Sequence, residues 1–443
     1  MQLKPYGKYK ESGIELVNKI PSHWEENRLA SIGAFSKGRG ISRKDLKEEG
    51  IPAILYGDIY TKYEIQASEI VNFIDGETAD RAVKIKKGDI LFTGSGETIE
   101  DIGKSISYEG DEIVYVGGDV IILSQQSPLY NSLFLSYSLS SSSSVFQKST
   151  SSKGTIILHI YSSRLKNILL AIPPPPEQTA IATYLDRQTV LIDQKIALLS
   201  QKIDRYQELK KSLINETVCR GLNPTVPMKD SGVEWIGEVP EHWEVKRVKD
   251  IGNLVLGKML SRKEASGMYL KKYLKSRNVK WLGIDTENID EMYFTEDEMK
   301  SYRLKMNDLV FSEGGEVGKT AIWKNEIDEC YIQNSVLKLT VNENQVPKYH
   351  LYFSFFLGKV GFYDSAVNQV SIKHLTKEKL IKVIWLSPPQ EEQKEIGKYL
   401  DEKTAKIESI VSNLTNQITT LKELRKTLIN DVVTGKVKVP ILS

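Results

Sequence analysis

The chain has 443 residues, 40% of them hydrophobic and 27% charged, which is enough to bury more than one core; length alone suggests about three domains. Sixty basic against 58 acidic residues leave a formal net charge of +2, which excludes a polycation and requires any nucleic-acid surface to be local. Cys219 and Cys330 show no paired spacing that suggests zinc or a disulfide framework, the first twenty residues lack the apolar run of a signal peptide, and no stretch approaches the ~20 apolar residues of a membrane span. The expectation is a soluble, cytoplasmic protein with no membrane partner and no metal site.

In chain order, the first feature is an edge that returns later. Ser12-Gly13-Ile14-Glu15 with Ile20-Pro21-Ser22-His23-Trp24-Glu25 reappears as Ser231-Gly232-Val233-Glu234 with Val239-Pro240-Glu241-His242-Trp243-Glu244, residue 231 standing for residue 12 at an offset of 219. A repeat calls for an even number of domains, and two similar halves invite a target with two-fold geometry of its own; duplex DNA is the leading candidate. After residues 1–20, a first block at 21–172 reads as mixed α+β. Its strand-like runs are Ile51 to Ile54, Asp89 to Phe92 and Glu112 to Leu123, and a helical run lies near Leu129–Phe146. The serines at 140–144 resemble a linker, but Leu133 to Leu139 before them and Val145-Phe146 after them argue for an ordered element.

A long helix is expected over 173–222. Ile192, Ile196, Leu199, Ile203, Tyr206, Leu209 and Leu213 follow a 4-3-4-3-3-4 spacing among polar residues, a narrow seam suited to a coiled coil with one departure from strict heptads. Proline at its start and Glu177 in the first turn suit a helix N-terminus. From Glu177 to Glu216 the helix would run about 60 Å, and the seam alone about 33 Å. A linker at 223–239 leads to a second α+β block at 240–387, with strand-like runs at Asp308 to Phe311 and Cys330 to Val341 and a helical run near Pro347–Phe362. The second helix, 388–435, repeats Pro173-Pro174 through Asp186 as Pro388-Pro389 through Asp401 at an offset of 215, and its seam is Ile407, Val411, Leu414, Ile418, Leu421, Leu424 and Leu428. A short tail, 436–443, follows. The two like seams are expected to pack on each other antiparallel, because the second block joins the C-terminal end of one helix to the N-terminal end of the other.

Candidate chemistry is sparse. Gly314-Gly315-Glu316-Val317-Gly318-Lys319-Thr320 resembles a phosphate-binding loop but is one residue short of the required spacing. No G-x-G-x-x-G opens a helix after a strand. His23 and His242 sit in the repeated turn, His159 and His374 are equivalent across the halves, and no histidine has acidic or cysteine partners at ligand spacing, so turn roles are expected. Asp89 and Asp308 match each other without the acid-x-Lys partner of a metal-dependent nuclease, so they too read as turn residues.

Basic density says more. Between Lys258 and Lys280 stand Lys258, Arg262, Lys263, Lys271, Lys272, Lys275, Arg277 and Lys280 against the single acid Glu264. In the first half Lys37, Arg39, Arg43 and Lys44 cluster at the matching place, and from Val120 to Pro176 there is no acidic residue. Such patches can neutralise phosphates, although a charge run can equally be an ordinary solvated face. Base reading calls for polar side chains on loops. The candidates are Thr93, Ser95, Lys153 and Thr155 in the first half and Ser312, Gln333, Asn334, Asn368 and Gln369 in the second.

With these residues in place, the chain resembles the DNA-specificity subunit of type I restriction-modification systems. The repeated edge at 12–25 and 231–244, Gly-Asp-Ile-Leu-Phe-Thr at 88–93, and Pro-Pro…Glu-Gln…Tyr-Leu-Asp followed by a coiled-coil helix at 173–216 and 388–431 carry the likeness. The first copy departs only in having Leu16-Val17-Asn18 where the second has the more typical Trp235-Ile236-Gly237. The resemblance implies two target-recognition domains, at 21–172 and 240–387, each reading half of a split, asymmetric site in double-stranded DNA, with paired helices setting the gap. It implies no catalysis and no cofactor in this chain. Two adenine methyltransferase subunits would supply S-adenosylmethionine, and motor-nuclease subunits would supply ATP hydrolysis with Mg. Two rivals stay open on the residues: a stand-alone two-domain DNA-binding regulator, and an ATPase using Gly314–Thr320.

Overall fold

The computed structural model describes residues 3–96, 98, 101–125, 127–152, 158–366 and 374–440. The chain divides into two units, Met1–Leu199 with Asn416–Ser443, and Ser200–Thr415. The division cuts both long helices, Pro175–Arg220 with 46 residues and Gln390–Val433 with 44, so each unit holds one α+β block and part of each helix.

In the first unit a five-stranded sheet runs in the order Gly33–Lys37, Val120–Gln125, Ile90–Thr93, Ser105–Tyr108, Gln66–Ala67. Its pairs are antiparallel except the last, which is parallel. All four residues of Ile90–Thr93 and of Ser105–Tyr108 are buried; with both faces covered, these strands lose the usual in-out alternation. The core joins Trp24, Phe92, Phe134 and Leu165 to Ile181 and Leu185 of the first long helix and Ile429, Val432 and Val433 of the second. The first twenty residues belong to it: Tyr6, Ile14, Val17 and Ile20 are buried there, and Tyr9–Glu11 pairs with Lys19–Pro21. The serine run is ordered, with Ser141 capping the helix Ser142–Thr150 and Ser143 and Ser144 buried.

In the second unit the sheet order is Gly252–Leu256, Val336–Val341, Leu309–Ser312, Thr320–Ile322, antiparallel throughout. Its core joins Trp243, Phe311, Tyr349, Phe353 and Trp385 to Ile214 and Val218 of the first long helix and Ile396 and Leu400 of the second. The matched fragment is thus an inner strand in both sheets. Asp89 and Asp308 open it in the same way, each accepting the backbone N–H three residues back, from Lys86 at 3.0 Å and Lys305 at 2.8 Å.

The repeated turn is a latch on the start of a long helix. His23 Nε2 lies 2.9 Å from Glu177 Oε2 and His242 Nε2 lies 2.8 Å from Glu392 Oε2, while Tyr6 and the Trp243 indole donate to the same two carboxylates at 2.5 and 3.0 Å. Opposite each latch the other helix stops on a left-handed glycine. Gly435 (φ +74°) lies against Pro21 and Trp24, and Gly221 (φ +77°) against Trp243 and Glu392, so close that a Cβ would meet them at 2.3 and 2.8 Å.

Within each unit the helix segments run antiparallel. In the first, Arg425 reaches Asp193 at 3.2 Å while Ile429 to Val433, further along, pack with residues 181 to 185, further back. In the second, Lys210 reaches Glu408 at 2.5 Å while Ile214 and Val218 pack with Leu400 and Ile396. Ile192, Ile196, Leu199, Ile203, Tyr206, Leu213, Val411, Ile418, Leu421 and Leu428 are half-buried in the seam, and Ile407 and Leu414 are buried. Two seam assignments need correction: Leu209 and Leu424 are 52% and 53% exposed. Lys210 and Arg425 take the layer instead, with side chains only 18% exposed. From Tyr206 the next step is therefore four residues rather than three, and the heptads are strict. Long basic side chains can fill such a layer by burying their methylene stems and carrying the charge outward, here to Glu408 and Asp193.

Candidate nucleic-acid interface

The basic loop of the first domain is built to hold its charges outward. Asp45 accepts Ser42 N–H at 2.8 Å and Ser42 Oγ at 2.6 Å, and takes the Arg81 guanidinium at 2.8 Å; these hydrogen bonds, with Arg81 beside them, hold its carboxyl below the usual range. Gly40 (φ +80°) brings the backbone so near Arg81 that a Cβ would sit 2.6 Å from its carbonyl. On this braced turn Arg39, Arg43 and Lys44 are exposed and make no ion pair among the described residues. Lys37 is exposed beside Asp119 at 3.3 Å.

Thr93 is fully buried, its hydroxyl bound to Tyr60 at 2.7 Å, because both faces of its strand are covered. It holds the loop that follows rather than facing a ligand. Ser95 is half-buried; its Oγ lies 3.1 Å from His159 Nδ1, and its carbonyl accepts Tyr60 Oη. The hydroxyl of Tyr60, a residue with no signal in the sequence, lies within hydrogen-bond distance of Ser95 O and of Asp101 O, the latter at 3.0 Å, and shares its one proton between the two sides of the loop after Ile90–Thr93. Lys153 and Thr155 lie outside the described residues.

The basic run of the second domain is largely neutralised. Lys258 is buried, ion-paired to Glu298 and 5.4 Å from the Phe294 ring centre; it is a strut of the domain, not a phosphate ligand. Lys275 and Arg277 share Asp290, whose carboxyl the Lys275 hydrogen bond holds below its usual range. Lys271 takes Glu329 at 2.6 Å and Lys280 takes Asp285 at 3.5 Å. Arg262, Lys263 and Lys272 remain exposed without an ion pair among the described residues. Ser312 is buried and donates to Gly314 O at 2.7 Å, the same displacement as at Thr93. Gln333 is half-buried and bound to Asn334 and Ser335. Asn368 and Gln369 lie outside the described residues.

Gly314–Thr320 joins two antiparallel strands and opens no helix. Thr320 is buried, its hydroxyl bound to Gly318 O and Ser354, and Lys319 is tied to Glu316 at 2.8 Å. A phosphate-binding loop needs its backbone N–H groups and lysine turned to one anion at a helix start, and this hairpin has no such start. Among the described residues no three His, Cys, Asp or Glu side chains are grouped for a metal ion, and no helix is long and apolar enough to cross a membrane. Both cysteines are buried, with thiols pushed up to about 12 by burial.

Comparison with known proteins decides what this frame is. The model of the type I restriction modification DNA specificity domain matches twice, over residues 21–205 and 240–420. The chain belongs to the type I restriction-modification DNA specificity family. It is 24% identical to the type I restriction enzyme MjaVIII specificity subunit of Methanocaldococcus jannaschii, covering 97% of each chain, and 20% identical to the EcoKI specificity subunit of Escherichia coli, covering 95% of this chain and 90% of that one. Two solved structures share the fold. One chain, from work on complex assembly and conformational transition of the type I R-M system, aligns over 94% of this chain and 99% of its own at TM-score 0.72 and 15% identity. The HsdS subunit of Thermoanaerobacter tengcongensis aligns over 96% and 100% at 0.54 and 17%. Each copy of the family domain therefore comprises one α+β block and most of the long helix that follows it.

Proposed function

We propose that this chain is the sequence-specific DNA-binding subunit of a type I restriction-modification system, reading a split, asymmetric site with its two domains. It would direct two adenine methyltransferase subunits, and with them motor-nuclease subunits, to that site. The chemistry then belongs to those partners with S-adenosylmethionine, ATP and Mg, and the place of action is the cytoplasm. The observation that carries this reading is the double family match on one repeated frame whose reading loops differ. The latches, long helices and inner strands recur, and Ser42-Arg43-Lys44-Asp45 returns as Ser261-Arg262-Lys263-Glu264, whereas the exposed Arg39 stands where the second domain has Lys258, buried and paired to Glu298. A frame kept while loops diverge is what two half-sites of different sequence require. The match along nearly the whole chain favours this over a stand-alone regulator.

Mapping methylated adenines in host DNA with and without this chain tests the reading. A bipartite motif should be present with the chain and vanish without it; an unchanged modification map refutes the function.

A further inference from the structure

Folding pairs five of the eight basic residues at 258–280 with carboxylates and assembles another cluster from distant positions. Lys210 and Lys211 stand on the first long helix, Lys319 ends the Gly-rich hairpin, and Lys359 ends the helix Pro347–Lys359, all within the second unit. Lys359 Nζ lies 4.9 Å from the Trp281 ring centre and 5.4 Å from that of Phe355, and Lys210 Nζ lies 5.9 Å from Phe355. Trp281 is a fixed platform: it meets Phe355 edge-on at 5.6 Å, rests where a Cβ on Gly358 would intrude at 2.0 Å, and donates its indole N–H to Glu316 at 2.6 Å.

The charges in this cluster do not balance. Lys319 has Glu316, Lys210 has Glu408 and Lys211 has Glu208; only the last pair is open to water at both ends, but all three carboxylates are more than half exposed, so water weakens their hold on the lysines. Lys359 has no carboxylate within ion-pair distance among the described residues. Burial lowers its pKa, and Lys211, Lys319 and Lys210 push the same way against Glu316. A phosphate placed here would relieve that repulsion. The internal repeat says which phosphate. At the offset of 215 the four positions become Arg425, Lys426, Lys104 and Ser144, so three of four stay basic while the domain interiors diverge. A contact common to both halves but indifferent to their sequences is a contact to the DNA backbone.

We propose that Lys210, Lys211, Lys319 and Lys359, beside Trp281, form a seat for phosphates of the DNA backbone, with Lys104, Arg425 and Lys426 as its counterpart in the first unit. The proposal rests on the DNA-specificity reading and adds to it a sequence-independent contact. The test is the salt dependence of duplex binding by the full chain assembled with its methyltransferase subunits. For the double variant Lys211→Gln/Lys359→Gln the slope of log affinity against log salt should fall by about two, so that between ~50 and ~200 mM salt it loses about tenfold less affinity than the unaltered protein. The methylated motif should stay the same, and Lys211→Arg/Lys359→Arg should keep the original slope. An unchanged slope in the glutamine variant overturns the proposal, as does an altered motif, which would make these lysines base readers. Competition by inorganic phosphate beyond its ionic strength would also overturn it, by showing a site for the free anion. Failure of the unaltered complex to select any sequence would instead refute the functional reading.

Discussion

The phase of the helix seam gives a test that separates two leucines of identical chemistry. Leu414 is 6% exposed and Leu424 is 53% exposed on the same helix, although their spacing in the sequence makes both look like seam residues. Truncating a buried leucine to alanine removes its transfer free energy and leaves a cavity, together about 2–5 kcal/mol. Leu414→Ala should fall near the middle of that range, about 3 kcal/mol. Leu424 keeps more than half of its surface in water, so its truncation forfeits less than half of the burial and leaves no enclosed hole; a cost below about 1 kcal/mol follows. The assay is guanidinium denaturation followed by far-ultraviolet circular dichroism, comparing midpoints at equal slope. Equal losses for the two variants, or a larger loss for Leu424→Ala, would refute the strict-heptad phase and return Arg425 to the surface.

Four more outcomes follow from the same geometry. Gly435→Ala, at φ +74° with Pro21 and Trp24 in the path of a Cβ, should destabilise by about 2 kcal/mol or more in thermal melts, since the left-handed conformation alone costs about 1–2 kcal/mol for other residues. Lys148 is buried against the carbonyls of Gly103 and Leu139, and burial lowers its pKa to about 7. Its folded value lies below the unfolded one, so the unfolded chain binds more protons between about pH 7 and 10, and stability should rise with pH there by up to about 1.4 kcal/mol per unit; Lys148→Met should abolish that rise. His350, buried on Trp385 with Nε2 2.8 Å from Gln345 and pKa lowered to about 3 by burial, should cost stability as pH falls from about 6.5 towards 3, because the unfolded chain takes up the proton first. His350→Gln should flatten that acid limb in the same denaturation series. Inserting one heptad into both long helices adds about 10 Å at 1.5 Å per residue, about three base pairs at ~3.4 Å each; the methylation map should show unchanged half-sites and a correspondingly longer spacer.

Local patterns told the larger part of the fold. The long helices and their antiparallel pairing were legible because a seam repeats over a few turns and the connection between them constrains direction. The repeated turn was legible as a unit, but its purpose was not: Glu177 and Glu392 stand some 150 residues from the histidines they hold. Phase failed at residue 209, where leucine reads as inward and lysine as outward, although a lysine stem can fill the layer and keep its charge wet. Thr93 and Ser312 read as loop-facing, but strands buried on both faces hide their last residue. Five of the eight basic residues at 258–280 are paired with Asp285, Asp290, Glu298 and Glu329, acids that follow the run in sequence and return to it only in the fold. The cluster at 210, 211, 319 and 359 has no sequence signature, since three separate elements bring it together.

The central claim is that each domain reads its own half of one DNA site. It is tested most directly by exchanging residues 21–172 for the corresponding block of a relative and sequencing the methylated adenines of the host. One half of the bipartite motif should change, with the other half and the spacer retained; a change in both halves would contradict the account.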